Sequence, residues 1–236
     1  MQVIPVIDLL NGEVVHAKKG QRQDYQSLQS ELCSSSDPLT VVAALLAVHP
    51  FKQLYIADLN AIQKLPYKTS TNFAVIARII SAYPQLEVWL DAGITKAADT
   101  QLWQPLNLNF ILASESLATM ADFYKLSRQL GNFILSLDFF SDGFHGPQAL
   151  LSHTDLWPQR VIIMSLADVG ANQGVNKIRL EQLLPLSNAN RLYAAGGVRN
   201  EADLASLKAL GVHGILLATA LHTQQIKGSS LSQFSQ

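Results

Sequence analysis

The sequence predicts an α/β protein, a single (β/α)8 TIM barrel built from two similar half-barrels, and three observations predict it. Eight short apolar runs punctuate the chain, amphipathic stretches with helix-capping residues separate them, and short strings recur in the same order. Strands alternating with helices give parallel βα units. An open doubly wound sheet shares that alternation, and the repeat favours the closed barrel.

The runs are Val3–Ile7, Leu54–Ala57, Val88–Leu90, Phe110–Ala113, Phe133–Leu137, Val161–Met164, Leu192–Ala195 and Ile215–Ala218. Each is short, apolar and mostly followed by turn or polar residues, as expected of strands covered on both faces. Between them, Asp37-Pro38 opens a helix over Leu39–Val48, with the aspartate as cap and proline at the first helical position. Thr71–Tyr83 places Phe73, Ile76, Ile80 and Tyr83 on one stripe and stops before Pro84. Asn200–Leu210 begins with a cap, carries Leu204, Leu207 and Leu210, and ends at Gly211.

Leu90-Asp91-Ala92-Gly93-Ile94 recurs as Ala194-Ala195-Gly196-Gly197-Val198, at an offset of 104 residues. Leu112-Ala113-Ser114 recurs as Leu217-Ala218-Thr219 at an offset of 105, and Val6-Ile7-Asp8 as Ser136-Leu137-Asp138 at 130. Three pairs in the same order point to duplication. Residues 1–236 then form one domain, with half-barrels of approximately 1–118 and 119–225 and a polar tail over 226–236.

The chain of 236 residues is 48% hydrophobic and 15% charged, enough to bury a large core without staples. Its 17 basic and 18 acidic residues give a net charge of −1, which offers no excess to displace counterions from a nucleic acid. A lone cysteine, Cys33, excludes an internal disulfide and any cysteine zinc site. No apolar run nears the ~18–20 residues that cross a bilayer, and the start MQVIPVIDLL lacks the basic stretch of a secretory signal. The expectation is a cytoplasmic protein with neither nucleic-acid nor membrane partners.

Asp8 and Asp138 end the first and fifth strands, on opposite sides of a barrel mouth, where chemistry takes place in this architecture. Two facing carboxylates divide acid and base roles if their surroundings separate their pKa values. Gly196-Gly197, just before a helix, lets backbone amides face a phosphate with no side chain intervening. Ala218-Thr219 leaves space beside it. Gly93 with Ala113-Ser114 forms the matching half-site, so a small doubly phosphorylated ligand is expected, although Asp91 adds negative charge there. The six histidines show no paired metal spacing. His145 reads as a solvated loop residue. Lys18, Lys19 and Arg22 make a basic patch that reads equally as a solvated hairpin or a phosphate lid. Trp89, Trp103 and Trp157 are expected to pack between barrel and helices.

The opening Ile4-Pro5-Val6-Ile7-Asp8-Leu9, then Gly12-Glu13-Val14-Val15 and Gly20, resembles the histidine-biosynthesis barrel family. The strings LYIADL (54–59) and AGGV (195–198) and the half-barrel duplication match it too. The resemblance runs from about Val3 to Leu221 and is closer to the ProFAR isomerase branch than to the cyclase branch. It implies an intramolecular oxidoreductase of the aldose–ketose type, performing an Amadori rearrangement on a doubly phosphorylated aminoaldose without metal or organic cofactor. By resemblance Asp8 is the general base and Asp138 the fifth-strand carboxylate.

The isomerases also place an acid in the loop after the sixth strand. Here that loop reads Ser165-Leu166-Ala167-Asp168-Val169-Gly170-Ala171, with Val169 on the expected aspartate. Asp168, one position away, replaces that acid only if the loop shifts, and Ser165 is a candidate substrate contact. Asp91-Ala92-Gly93 replaces a triple glycine, and Ala218-Thr219 replaces a glycine-led phosphate contact. His16, a second candidate substrate contact, stands where arginine or lysine is common. These departures leave two further readings open. One is a diverged paralogue acting on another phosphorylated metabolite outside histidine synthesis. The other is a non-catalytic phosphometabolite-binding barrel.

Overall fold

Eight parallel strands form and close on themselves. The computed structural model describes residues 1–17, 20–65, 71–170, 174–187 and 190–234; Lys18, Lys19 and Ala171 lie outside the described residues. The barrel strands, first to eighth, are Gln2–Leu10, Gln53–Asp58, Glu87–Asp91, Leu108–Ala113, Ile134–Phe140, Arg160–Ser165, Arg191–Ala195 and Gly214–Leu217. Each pairs in parallel with its successor, and the eighth pairs with the first from Gln2↔Gly214 to Pro5↔Leu217. That last ladder excludes the open sheet.

The two-residue period of a strand divides each one between two cores. Ile4, Tyr55, Trp89, Ile111, Ile134, Ile162, Tyr193 and Leu216 point inward and fill the barrel. Val3, Leu54, Val88, Leu112, Leu135, Val161, Leu192 and Ile215 point outward beneath the helices. The tryptophan expectation is therefore corrected at one position. Trp103 and Trp157 do pack in the outer layer, but Trp89 lies inside the barrel, edge-to-face with Tyr193 at 5.0 Å. The cause is parity, because Trp89 stands two residues before the inward-facing Asp91.

The helices begin and end where their caps dictate. Asp37 accepts from the Thr40 amide at 2.9 Å and starts Pro38–Val48. Thr71–Ala82 follows. Asn200 caps Glu201–Leu210, which stops at Gly211 in the left-handed conformation, φ 87°. The segment expected to be a polar tail instead contains a helix, Gly228–Phe234, whose Leu231 is fully buried.

Two short hairpins rise over the mouth. The first strand runs two residues past Asp8 and turns back into Glu13–His16, pairing Asp8 with Val15. The fifth strand likewise runs two residues past Asp138 and turns back into Gly143–His145, pairing Asp138 with His145. Neither aspartate ends its strand, contrary to expectation, because antiparallel pairing with the returning hairpin keeps the backbone extended beyond it. The two pairings stand in the same relation, with partners seven positions apart in each.

Candidate active site

Strand register brings the carboxylates to one level. Asp8 pairs with Ala57 and Ala57 with Asp91, so the first three strands place Asp8, Ala57 and Asp91 side by side. Asp138 approaches from the opposite wall, paired with Met164. Asp8, Ala57, Asp91 and Asp138 line a cavity of about 350 Å³ at the mouth, together with Tyr55, whose hydroxyl feels the charges of Asp91, Asp138 and Asp8. Among the described residues, the acidic side chains Asp8, Asp91, Glu115, Asp138 and Asp168 face the cavity against the basic Arg22 and Arg199.

Desolvation dominates the electrostatics. Enclosure by the cavity walls pushes Asp8 up to about 7, opposed by Arg22 and reinforced by Asp91. Asp91 rises to about 6 by burial, opposed mainly by the hydrogen bond it accepts from the Gly93 amide at 3.0 Å. Asp138, only 3% exposed, rises furthest, to about 8, through burial and the nearby negative charge of Glu115. Burial and the adjacent carboxylates likewise hold the Tyr55 phenol well above its ordinary value, and it donates to Asp91 at 3.3 Å.

Asp138 is held on both oxygens. Ser136 Oγ donates to Oδ1 at 2.6 Å and the Glu115 amide to Oδ2 at 3.0 Å. Ser114 Oγ accepts from the Asp138 amide at 2.9 Å, lies 2.7 Å from the His145 carbonyl and 3.2 Å from Asp138 Oδ2. A hydroxyl carries one proton. The carbonyl can only accept and is nearer, so it takes that proton, and a protonated Oδ2 then satisfies Ser114. The geometry thus agrees with an Asp138 that keeps its proton at neutral pH. Glu115 forms an ion pair with Arg22, which holds the guanidinium firmly cationic against its burial.

On the opposite side Gly196, Gly197, Ala218 and Thr219 line the cavity and are half-buried. Both glycines have positive φ, 95° and 82°. A side chain on Gly196 would strike the Ser165 carbonyl at 2.3 Å, and one on Gly197 the Gly174 carbonyl at 2.2 Å, so only glycine fits either place. Arg199 sits at the rim, oriented by Asp203 through Nε at 2.9 Å and Nη2 at 3.1 Å.

Asp168 and Val169, from the loop after the sixth strand, also line the cavity. One carboxylate oxygen of Asp168 is buried with no hydrogen-bond partner among the described residues.

Five of the candidate residues lie outside this lining. Gly93, Ala113 and Ser114 are buried. Ser165 is buried too and accepts from Arg179 Nη1 at 2.5 Å. His16 lines a small neighbouring pocket, with Nε2 3.3 Å from Thr219 Oγ1. His145, in its loop, is partly exposed, 2.8 Å from Asp142 and stacked on Phe140.

Tyr55, Glu115 and Arg199 escape a reading of the sequence. Parity with Ala57 marks Tyr55, and a place at the start of a helix beside Gly196-Gly197 marks Arg199. Nothing local marks Glu115. Among the described residues no group of three or more His, Cys, Asp or Glu side chains is arranged to hold a metal ion.

Comparison with known proteins agrees with this architecture. Residues 2–227 match the model of the family described as Histidine biosynthesis protein. An uncharacterised protein of Methanocaldococcus jannaschii is 32% identical over 228 residues, covering 94% of this chain and 93% of its own. A 1-(5-phosphoribosyl)-5-((5-phosphoribosylamino)methylideneamino) imidazole-4-carboxamide isomerase of Caldicellulosiruptor bescii is 28% identical, with 96% of this chain and 97% of the relative covered. A protein of the same name from Ruthia magnifica is 25% identical, over 92% and 90%. The match over almost the whole chain makes this protein a member of the histidine biosynthesis protein family.

Proposed function

We propose that this chain is an acid–base isomerase of the aldose–ketose type, acting on a phosphorylated sugar amine at the barrel mouth. One observation carries the reading: two desolvated carboxyl groups on opposite walls of one cavity, Asp8 at about 7 and Asp138 at about 8, hold their proton equilibria near neutral pH. A catalytic acid and base work best with pKa values near the working pH. Environments that separate two such groups assign their roles. Asp138 gives its proton to the ring oxygen, the C1–O bond breaks, and the amine lone pair forms C=N. Asp8, whose carboxylate form Arg22 favours, takes the proton from C2. The electrons of that C–H bond form C1=C2, and the C=N pair returns to nitrogen. Reprotonation at C1 and loss of the hydroxyl proton at C2 complete the aminoketose with no change in composition.

The phosphate belongs, on this reading, at Gly196, Gly197, Ala218 and Thr219, with Arg199 supplying positive charge at the rim. On this reading the enzyme works in the cytoplasm, alongside a charged substrate that does not cross membranes unaided. The experiment is direct: assay the purified protein on ProFAR, the substrate of the isomerase branch, and follow thermal stability with ProFAR and with inorganic phosphate. Turnover within the ~1–10³ s⁻¹ of ordinary enzymes supports histidine synthesis as its pathway.

One observation favours a second reading, a paralogue serving another phosphorylated metabolite. Val169 lines the cavity where the isomerase pattern has an acid. Weak ProFAR turnover that rises in Val169→Asp supports this paralogue reading; full wild-type turnover overturns it.

A further inference from the structure

The two halves of the mouth carry matched strings but present opposite surfaces. In the C-terminal half, Ala195-Gly196-Gly197 and Ala218-Thr219 open onto the cavity. In the N-terminal half Asp91 still faces the cavity, but the matching glycine and the Ala113-Ser114 pair do not line it. Asp91 stands at the place of Ala195, and its Oδ1 accepts from the Gly93 amide, the counterpart of Gly197. Gly93 is buried and does not line the cavity, and the Ile62 backbone lies 2.7 Å from where a methyl group on it would sit. Ser114, the counterpart of Thr219, is fully buried beneath Gly146, with its hydroxyl engaged by the Asp138 amide and the His145 carbonyl.

We infer that Asp91 is a specificity-determining residue, a built-in anion occupying the place of a second phosphate, so that the cavity takes ligands with one phosphate and rejects those with two. The inference rests on the phosphate reading of the C-terminal half given above, and it sides with the paralogue reading, since the isomerase substrate carries two phosphates. Its physical basis is twofold. A backbone amide already bound to a carboxylate offers nothing to a phosphate, and like charges brought together out of water repel strongly. Tyr55 strengthens the arrangement by donating to the other Asp91 oxygen, which fixes the carboxylate against the wall. Among the described lining residues, the cation that acts on Asp91 is Arg22, and Arg22 is paired with Glu115. Rejection is therefore built in as an unfavourable contact for the wrong ligand, which discriminates as effectively as a better contact for the right one.

Calorimetric titration of ribose 5-phosphate and ribulose 1,5-bisphosphate into the wild type, Asp91→Gly and Asp91→Asn tests this. The wild type should bind the monophosphate, and the bisphosphate no more tightly. In Asp91→Gly the bisphosphate should gain about tenfold or more over the monophosphate, since a repulsive charge pair has gone. Asp91→Asn keeps the shape without the charge, so it should shift the same ratio even where the glycine variant folds poorly. A wild type that binds the bisphosphate about tenfold tighter, or a ratio unchanged in both variants, overturns the inference and leaves the phosphate reading intact. A wild type that binds neither ester overturns the phosphate reading and this inference with it.

Discussion

The N-terminal and C-terminal halves of the mouth carry one pattern of strings and present two different surfaces. Gly93 and Gly197 both adopt positive φ, 57° and 82°, and both are pressed by backbone from a neighbouring loop. Yet Gly93 is buried under Ile62 with its amide on Asp91, while Gly197 lines the cavity. Along the matched strings Asp91 stands in place of Ala195 and Ala92 in place of Gly196, and Ala92 lacks the positive φ of Gly196. The contrast teaches that a positive-φ glycine does not by itself keep a turn open, because a side chain from its own strand can occupy the turn's amide. The hairpins preserve the symmetry that matters for chemistry, because Asp8 and Asp138 occupy equivalent pairings with Val15 and His145.

The sharpest way to break this comparison is at the matched aspartates. Asp8→Asn and Asp138→Asn should each lower turnover of the true substrate by ~10²–10⁴-fold. Their pH profiles should differ: Asp8→Asn should remove the acidic limb, set near 7, and Asp138→Asn the alkaline limb, set near 8. Identical profiles would show that the two halves do not divide the roles.

The glycines give the next effect. Gly93→Ala and Gly197→Ala each force a side chain into a positive-φ turn against backbone, and each should cost about 1–3 kcal/mol of stability by chemical denaturation. Only Gly197→Ala should also abolish binding of inorganic phosphate. If Gly93→Ala weakens phosphate equally, the N-terminal half binds it after all.

A third test uses pH and stability. Asp8, Asp91 and Asp138 bind protons more tightly folded than unfolded, so their contribution falls as pH rises from about 4 to their raised values. His222 works in the opposite sense. Burial holds it down to about 4, so the unfolded chain takes up its proton first and stability from this group rises between about 4 and 6.5. His49 and His213, also lowered by burial, add in the same sense as His222. Above 6.5 the carboxylates dominate, and the unfolding free energy should fall by about 1 kcal/mol per pH unit up to about 8. A flat or rising profile in that window would contradict the raised values of Asp8 and Asp138.

A last test separates Ser114 from Thr219. Ser114→Ala strands the Asp138 amide and the His145 carbonyl in a buried place, at about 1–3 kcal/mol. Thr219→Ala, at a half-buried position whose hydroxyl lies near His16, should change stability by no more than about 0.5 kcal/mol. Equal costs would mean that the fourth and eighth strand ends are equally committed to structure.

Much of the fold was legible because it depends on local patterns. Buried strands must be apolar, caps must precede helices, and recurring strings mark equivalent turns, so the eight strands and their order could be read directly. Asp8, Asp138, Gly196 and Gly197 were legible for the same reason, since they stand at matched points of the repeat. Glu115 was not, because its role comes from an ion pair with Arg22, 93 residues away. Trp89 was misplaced because a run of apolar residues does not reveal which of its alternating side chains face the barrel interior.

Periodicity, capping and repetition along the chain were enough to read the barrel, its matched strings, the aspartate pair and the glycine turns. Which half of the mouth is open follows from the closed barrel, whereas the chain alone offered only the charge of Asp91 as a sign. The outcome depends on Asp91 reaching the Gly93 amide, on Ile62 and Gly146 packing over their neighbours, and on how far burial raises each carboxyl. Desolvation and contact between distant segments are properties of the closed barrel, and no stretch of the chain carries them alone.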